Sequence, residues 1–260
     1  MTRTPEDDQH PVLPGADPFA ADGGPHGVLA LHGFTGNPNS MAGVAEAAAA
    51  AGHAVECPRL PGHGTDMADM LDTTWDDWCA EAEAALARLR AKMSAGGRIV
   101  VVGLSMGGAL TAYLGTRNPD LAGLVFINPL VDGPGDLRPI VEDALKGGIE
   151  IFPGIGSDIA DPDATETAYE GTPLRPLVTL FDGVEAFQDG LRTITCPVLI
   201  LNSPEDHVVP PANSDHLAAS VGGPVERVTL ARSYHVATLD YDKHLVIERL
   251  LEFTAKVTAS

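Results

Sequence analysis

Short apolar runs alternate along the chain with longer amphipathic stretches. Several of the short runs are apolar at every position, a pattern typical of strands that are covered on both faces of a parallel sheet. The pattern predicts strands at Val28–Leu31, Ala54–Cys57, Ile99–Val102, Leu124–Ile127, Val198–Leu201 and Val225–Leu230.

The amphipathic stretches between these runs predict helices. In the clearest of them, apolar side chains recur at steps of three and four and form one stripe, which indicates packing against the core. The predicted helices are Ser40–Ala51, Thr74–Met93, Met106–Arg117 and Asp240–Val257. The repeated order of strand and helix predicts an α/β fold, a mostly parallel twisted sheet with helices on both faces.

Two regions do not follow this alternation of strands and helices. Residues 131–191 are rich in Pro and Gly and contain two predicted helices, Leu137–Lys146 and Leu177–Phe187. We interpret this region as a small cap insertion over the sheet, with the α/β core formed by residues 25–130 and 192–260. Residues 1–24 are rich in Pro, Asp and Gly and are expected to be a weakly ordered N-terminal segment.

Composition narrows the range of partners. The 260 residues carry 36 acidic and 16 basic side chains, a formal charge of −20, which disfavours nucleic acid and anionic membrane surfaces as partners. No apolar run is long enough to span a bilayer, and the first residues lack a signal-like apolar core, so a cytoplasmic protein is expected. Three scattered cysteines form no CxxC pair, which argues against a disulfide framework or a zinc ribbon.

The stretch Gly103-Leu104-Ser105-Met106-Gly107 fits the pattern G-x-S-x-G between a predicted strand and a predicted helix. A strand that turns directly into a helix needs a sharp bend, and small residues two positions before and after the bend prevent collision. Such a turn holds a serine hydroxyl at the carboxyl edge of the sheet, where ligands bind in this architecture. Ser105 is therefore the candidate nucleophile.

A serine nucleophile needs a base and an acid that orients it, and in this architecture the chain order is Ser, acid, His. Asp206 follows the strand at 198–201, and His235 follows the last predicted strand. We assign Asp206 as the acid, with Glu205 as the alternative, and His235 as the base. The other histidines either precede Ser105 or lie in unsuitable positions. No metal site is predicted, because the calcium-loop-like stretch at 161–172 lacks the required glycine and glutamate.

An oxyanion hole needs a second backbone donor beside the one that follows the serine. The loop His32-Gly33-Phe34 follows the first main strand. The N–H groups of Phe34 and Met106 are therefore the expected donors, and His32 is expected to fix the loop by hydrogen bonding.

Several motifs of the chain together resemble those of a known family. "LHGFTG", "PGHGT", "GLSMGG", the Asp206 loop and "SYHVATLD" together resemble the α/β-hydrolase superfamily, in its branch of bacterial carboxylesterases and monoacylglycerol lipases. The resemblance covers roughly residues 28–130 and 195–255 and implies Ser105, Asp206 and His235 as catalytic residues, without a cofactor. An acyl pocket is expected from Phe34 and Met106 together with apolar cap residues, namely Ile140, Leu145, Ile151, Phe152, Val178, Leu180 and Phe181.

The predicted function is a serine carboxylic-ester hydrolase that acts on short- to medium-chain esters or monoacylglycerols through an acyl-enzyme. The same three residues also serve thioesterases, C–C hydrolases and acyltransferases, because function depends on the pocket and not on the fold. A non-catalytic binding protein with this fold is a third alternative. The expected partner is a small-molecule ester, and the expected state is a monomer or homodimer.

Overall fold

A seven-stranded sheet forms the centre of the protein in the computed structural model, which describes residues 2–154 and 157–259. The nine strands are β1 (Phe19–Ala21), β2 (Gly27–Leu31), β3 (Ala54–Cys57), β4 (Ile99–Leu104), β5 (Gly123–Ile127), β6 (Ile151–Pro153), β7 (Gly171–Pro173), β8 (Val198–Asn202) and β9 (Val225–Thr229). The main sheet has the order β1-β3-β2-β4-β5-β8-β9, and β6 pairs with β7 separately. β1 runs antiparallel to β3, and the other neighbours in the main sheet are parallel.

Eight α-helices connect or flank these strands in the described ranges. They are α1 (Asn39–Ala50), α2 (Met67–Met70), α3 (Trp75–Lys92), α4 (Met106–Arg117), α5 (Leu137–Lys146), α6 (Leu174–Phe187), α7 (Ala212–Ser220) and α8 (Lys243–Thr258). Every predicted helix is present, most of them with bounds shifted by one to three residues. Helix α7 was not predicted, because it buries Asn213 and Ser214 beside Leu217 and so shows no apolar stripe. None of the helices within residues 2–154 and 157–259 is long and apolar enough to cross a membrane.

The two faces of the sheet carry separate apolar clusters. Leu29, Val101 and Phe126 face one side, in the cluster that contains the apolar side chains of α3, α4 and α6. Val28 and Val102 face the other side, in the cluster that contains those of α1 and α8. Since successive strand residues point to opposite faces, both faces must be apolar, and this explains the unbroken runs. The predicted fold class is confirmed.

The segment before residue 25, expected to be weakly ordered, makes several contacts with the rest of the chain. Phe19 pairs with Cys57 at the sheet edge, Asp8 forms a buried ion pair with Arg59, and the Leu13 N–H donates to Gly64 at 2.8 Å. These contacts join residues more than 35 positions apart through polar groups. A local hydrophobic pattern carries no signal for these contacts, and the weak order of the segment remains a prediction.

The insertion at 131–191 contains α5, α6 and the short pair β6–β7. Helix α6 lies against the core, where the rings of Phe187 and Trp75 have centroids 6.3 Å apart. Gly183 permits this approach, since a Cβ there would lie 2.4 Å from the Trp75 indole. Both predicted helices of the insertion are present, and the short strands at 151–153 and 171–173 were not expected. The domain bounds themselves remain a prediction.

Candidate active site

Ser105 lies at a sharp bend between β4, which ends at Leu104, and α4, which begins at Met106. Its backbone has φ 56° and ψ −117°, a conformation that side chains other than glycine rarely adopt. The Ser105 N–H donates to the Ile127 carbonyl at 3.1 Å, so the neighbouring strand β5 helps to hold the bend. The strand–turn–helix context that the motif predicted is thus present.

The two flanking glycines are needed for close backbone approach. A Cβ at Gly103 would lie 2.0 Å from the Gly107 carbonyl oxygen. A Cβ at Gly107 would lie 2.1 Å from the Leu31 carbonyl oxygen, at the end of β2. Real Cβ atoms do not occupy such positions, so the turn admits no other residue there without displacement of the backbone.

His235 and Asp206 form a buried pair. The distance from His235 Nδ1 to Asp206 Oδ2 is 2.7 Å, and the two side chains are 8% and 2% exposed. Asp206 Oδ1 accepts the N–H groups of Val208 and Val209 at 2.9 and 2.8 Å. These donors leave the other carboxylate oxygen directed at the imidazole. Glu205, the alternative acid, is exposed, and the structure brings Asp206 to His235 in its place.

Ser105 and His235 line the same cavity, which has a volume of about 170 Å³. No hydrogen bond between the two side chains is present among the described residues, although such bonds are often long before substrate binds. The cavity wall is mainly apolar and includes Phe34, Leu104, Leu130, Leu137, Leu177, Leu180, Phe181, Val208, Val209 and Val236. The cavity thus combines a serine hydroxyl and an imidazole with space for an apolar group.

Two backbone donors beside Ser105 have no acceptor. The N–H groups of Phe34 and Met106 donate to no atom within residues 2–154 and 157–259. The loop that carries Phe34 lies against the serine, since a Cβ at Gly33 would be 3.3 Å from Ser105 Cβ. Because N–H groups without a partner are uncommon in folded proteins, these two donors near Ser105 are candidates to bind an oxygen anion.

His32 fixes this loop, as expected. Its Nδ1 lies 2.9 Å from the Gly33 carbonyl oxygen, and its Nε2 accepts the Leu60 N–H at 3.2 Å. The ring therefore carries its proton on Nδ1 and is neutral. Burial lowers the pKa of His32 to about 4, so the residue keeps this neutral form, and this arrangement of the loop, at physiological pH.

Asn128 joins the loops that carry Asp206 and His235. Its backbone φ is 42°. Its side-chain oxygen accepts the Ser203 N–H at 2.7 Å, and its Nδ2 donates to the carbonyl oxygens of Tyr234 and His235 at 3.1 and 2.8 Å. One buried amide at the end of β5 thus fixes both loops relative to the sheet.

The insertion contributes two carboxylates to the cavity wall, Asp158 and Glu166. Asp158 accepts hydrogen bonds from His207 and from the His235 backbone. The hydrogen bond to Asp158 raises the pKa of His207. The Glu166 carboxylate has no hydrogen-bond donor in the described part of the chain, and burial raises its pKa. Both groups lie close to the proposed base.

Only some of the residues expected in the acyl pocket lie at the cavity. Phe34, Leu180 and Phe181 line the cavity. The side chain of Met106 packs in the core, with no exposed surface. Ile151 is 37% exposed at the surface, and Phe152 packs against the cluster of Val141, Leu174 and Phe181.

Three other residues that were expected in the acyl pocket, Ile140, Leu145 and Val178, are likewise absent from its wall. The sequence showed that these side chains are apolar, but it did not show which face of each cap element points toward Ser105. Instead, Leu137, about one turn before Ile140 on α5, and Leu177, directly before Val178 on α6, line the cavity.

Comparison with known proteins agrees with this geometry. A sequence model of the alpha/beta hydrolase family matches residues 28–249, most of the chain. The chain belongs to the alpha/beta hydrolase family. The matched range of this hydrolase begins at β2 and includes Ser105, Asp206 and His235.

Two relatives match nearly the whole hydrolase chain. A thermostable monoacylglycerol lipase of Bacillus sp. (strain H-257) is 47% identical over 253 residues, which are 96% of this chain and 98% of the relative. A carboxylesterase of Bacillus subtilis (strain 168) is 25% identical over 248 residues, 92% of this chain and 96% of the relative.

Solved structures give the same fold. A structure reported in a study of LipS and LipT, two metagenome-derived lipolytic enzymes, superimposes with a TM-score of 0.89 at 41% identity and covers 95% of this chain and all of its own. A monoacylglycerol lipase of Paleococcus ferrophilus gives a TM-score of 0.70 at 16% identity, covering 93% and 99%, and is evidence of the shared fold alone.

Sequence analysis missed three residues at the site. Asn128 directly follows a predicted parallel strand next to the one that ends at Ser105, so its position did carry a signal. Asp158 and Glu166 lie in the insertion, where neither strand ends nor motifs mark a residue. Only the folded arrangement brings these two carboxylates to the cavity.

Proposed function

We propose that the protein is a carboxylic-ester hydrolase that acts through an acyl-enzyme on Ser105, with monoacylglycerols as its substrate class. The observation that carries this proposal is the 2.7 Å contact between His235 Nδ1 and Asp206 at the cavity that Ser105 lines. The identity of 47% to a monoacylglycerol lipase supports the same substrate class.

The His235–Asp206 contact sets the direction of proton transfer. With the Nδ1 proton donated to Asp206, the Nε2 atom of His235 is left as the acceptor. His235 then takes the Ser105 hydroxyl proton as the serine oxygen attacks the ester carbonyl, and later returns that proton to the leaving alcohol. A water activated by the same imidazole hydrolyses the acyl-enzyme. Asp206 stabilises the imidazolium that forms in each step.

The free N–H groups of Phe34 and Met106 are suited to bind the oxygen anion of the tetrahedral intermediate. One such donor contributes about 3 kcal/mol to lowering the barrier. Both are backbone groups on rigid turns, so they need little reorganisation during the reaction.

The cavity wall matches both halves of a monoacylglycerol. The apolar side chains of Leu137, Leu177 and Phe181 provide a surface for the acyl chain. On the same wall, the Glu166 carboxylate is free to accept a hydrogen bond from a hydroxyl of the alcohol. A substrate with an apolar chain and a hydroxylated head fits this combination better than a simple alkyl ester.

The nucleophile is tested by labelling and substitution. A fluorophosphonate is expected to add one adduct to the peptide that contains Ser105, and Ser105→Ala should lower kcat by roughly 10⁶-fold with the fold unchanged. Ser214→Ala is the control, since Ser214 is also buried but lies on α7 outside the cavity wall. Turnover retained by Ser105→Ala would remove this residue from the mechanism.

A substrate panel tests the class. Monoacylglycerols, p-nitrophenyl esters, acyl-CoA thioesters and an ester with an added acceptor alcohol separate hydrolase, thioesterase and acyltransferase activities. We expect the highest kcat/KM for monoacylglycerols. A preference for acyl-CoA, or no turnover of any ester, would contradict the proposed class. The cytoplasmic location and the monomeric or homodimeric state remain predictions.

A further inference from the structure

Asp158, in the insertion, contacts both loops that carry the proposed acid and base. Its Oδ2 accepts the backbone N–H of His235 at 3.0 Å and that of His207 at 3.1 Å. Its Oδ1 lies 2.8 Å from His207 Nδ1. Its own carbonyl oxygen accepts the Val236 N–H at 3.1 Å. A single residue of the insertion therefore bonds to His235 and to the residues that follow Asp206 and His235.

The surroundings strengthen these bonds. The Asp158 side chain is 13% exposed and lines the cavity. Hydrogen bonds are stronger in such a largely buried setting than in water. The His235 amide is thus held by a side-chain oxygen that also accepts the His207 N–H.

His235 is held from two opposite elements. From the sheet, Asn128 donates to the His235 carbonyl oxygen at 2.8 Å. From the insertion, Asp158 accepts the His235 N–H. With both polar groups of its peptide backbone held, the direction of the His235 Cα–Cβ bond is restricted, and the 2.7 Å contact of Nδ1 with Asp206 then orients the imidazole.

We propose that Asp158 is a positioning residue that places the His235 imidazole for proton transfer from Ser105, so that the insertion takes part in assembling the catalytic site as well as covering it. This inference rests on the proposed function. Asp158 acts through the backbone of His235 and takes no part in proton transfer itself.

Removal of the carboxylate should reduce catalysis more than binding. A displacement of about 1 Å in a catalytic group costs roughly 10²-fold in rate, so Asp158→Ala is expected to lower kcat by about 10- to 100-fold. Labelling of Ser105 by a fluorophosphonate should slow by a similar factor, because that reaction also requires His235 to accept the serine proton.

Substrates of two lengths separate positioning from a role in shaping the pocket. p-Nitrophenyl acetate has an acyl group too short to extend along the apolar wall, whereas p-nitrophenyl octanoate extends along it. Positioning of His235 predicts the same loss of kcat for both esters. A loss confined to octanoate, and expressed in KM, would overturn the proposal.

The conservative variant supplies a second test. In Asp158→Asn the amide oxygen can accept both backbone N–H groups, so activity should stay within about threefold of the parent. Equal losses in Asp158→Asn and Asp158→Ala would assign the effect to charge and contradict positioning. Should Asp158→Ala fail to fold, Asp158→Ser, whose side chain is too short to reach both amides, replaces it.

Two controls complete the design. Glu205→Gln removes an exposed carboxylate next to Asp206 and should leave kcat unchanged. Ser105→Ala reports on the proposed function itself. If Ser105→Ala is inactive and Asp158→Ala is fully active, the positioning role of Asp158 is refuted and the proposed function stands. If Ser105→Ala is active, the proposed function itself is refuted.

Discussion

We expect removal of the Asn128 side chain to destabilise the two loops that carry Asp206 and His235 more than removal of any other polar side chain at the site. Its amide makes four polar contacts: the oxygen accepts the Ser203 N–H, and the two hydrogens on Nδ2 are shared among three acceptors, Ser203 Oγ and the carbonyl oxygens of Tyr234 and His235. Asn128→Ala removes all four and leaves the buried Ser203 N–H without its partner. A buried unpaired polar group costs about 1–3 kcal/mol, and the loss of the bonds to two carbonyls adds to that cost.

Backbone strain adds to this loss. Asn128 has φ 42°, a left-handed conformation that asparagine tolerates better than alanine. We therefore expect Asn128→Ala to lower the free energy of unfolding by about 4 kcal/mol, of which about 1 kcal/mol is strain. Asn128→Gly loses the same hydrogen bonds without the strain and should recover that last 1 kcal/mol.

Guanidinium unfolding followed by tryptophan fluorescence measures these free energies, and ester hydrolysis reports whether the two loops remain in place. Asn202→Ala is the matched control, because Asn202 is also a buried asparagine at the end of a parallel strand, β8. Its side chain accepts a single hydrogen bond among the described residues, from Arg227 at 3.2 Å. If Asn128→Ala lowers the free energy of unfolding by less than about 1 kcal/mol, and the slope of that free energy against guanidinium concentration is unchanged, the reasoning is refuted.

Three further predictions concern other parts of the chain. Gly107→Ala should prevent folding, since its Cβ would lie 2.1 Å from a carbonyl oxygen. Gly43→Ala in α1 should raise the melting temperature, because its Cβ would meet the nearest atom only at 4.0 Å. Soluble yield and thermal unfolding test both predictions. Burial raises the pKa of Cys57 to about 12, so iodoacetamide should modify this thiol only after unfolding, as mass spectrometry would show. Burial also raises the pKa of Glu166 above its ordinary value of 4.5. The charged carboxylate therefore destabilises the folded state above that pH, and Glu166→Gln should have a higher melting temperature than the parent at pH 8. The difference in melting temperature should vanish at pH 4, and an equal difference at both pH values would contradict this prediction.

Much of the site was predictable because its signals are local. The bend at Ser105 needs small residues at fixed spacing, and Gly103 and Gly107 are visible in the sequence for that reason. Asp206 and His235 could be assigned because parallel strands bring their carboxyl ends to one edge of the sheet. A residue that follows such a strand is placed near the others without knowledge of the tertiary contacts.

Other features depended on contacts between distant residues. Ile151 is as apolar as Leu177, yet Leu177 lines the cavity and Ile151 is at the surface, because the orientation of each cap element is set by what it packs on. Asp158 gives a polar example. It lies in an irregular segment, where no periodicity in the sequence reveals that its carboxylate accepts the His235 N–H.

The sequence by itself determined the alternation of strands and helices, the two apolar faces of the sheet and the strained serine turn, since these follow from side-chain periodicity and from backbone sterics over a few residues. The tertiary structure alone decided that the N-terminal segment pairs with the sheet edge, which cap side chains line the cavity, and that Asp158 and Asn128 hold His235 from opposite sides. These arrangements arise from hydrogen bonds and packing between residues tens of positions apart, for which a single chain carries no repeating pattern.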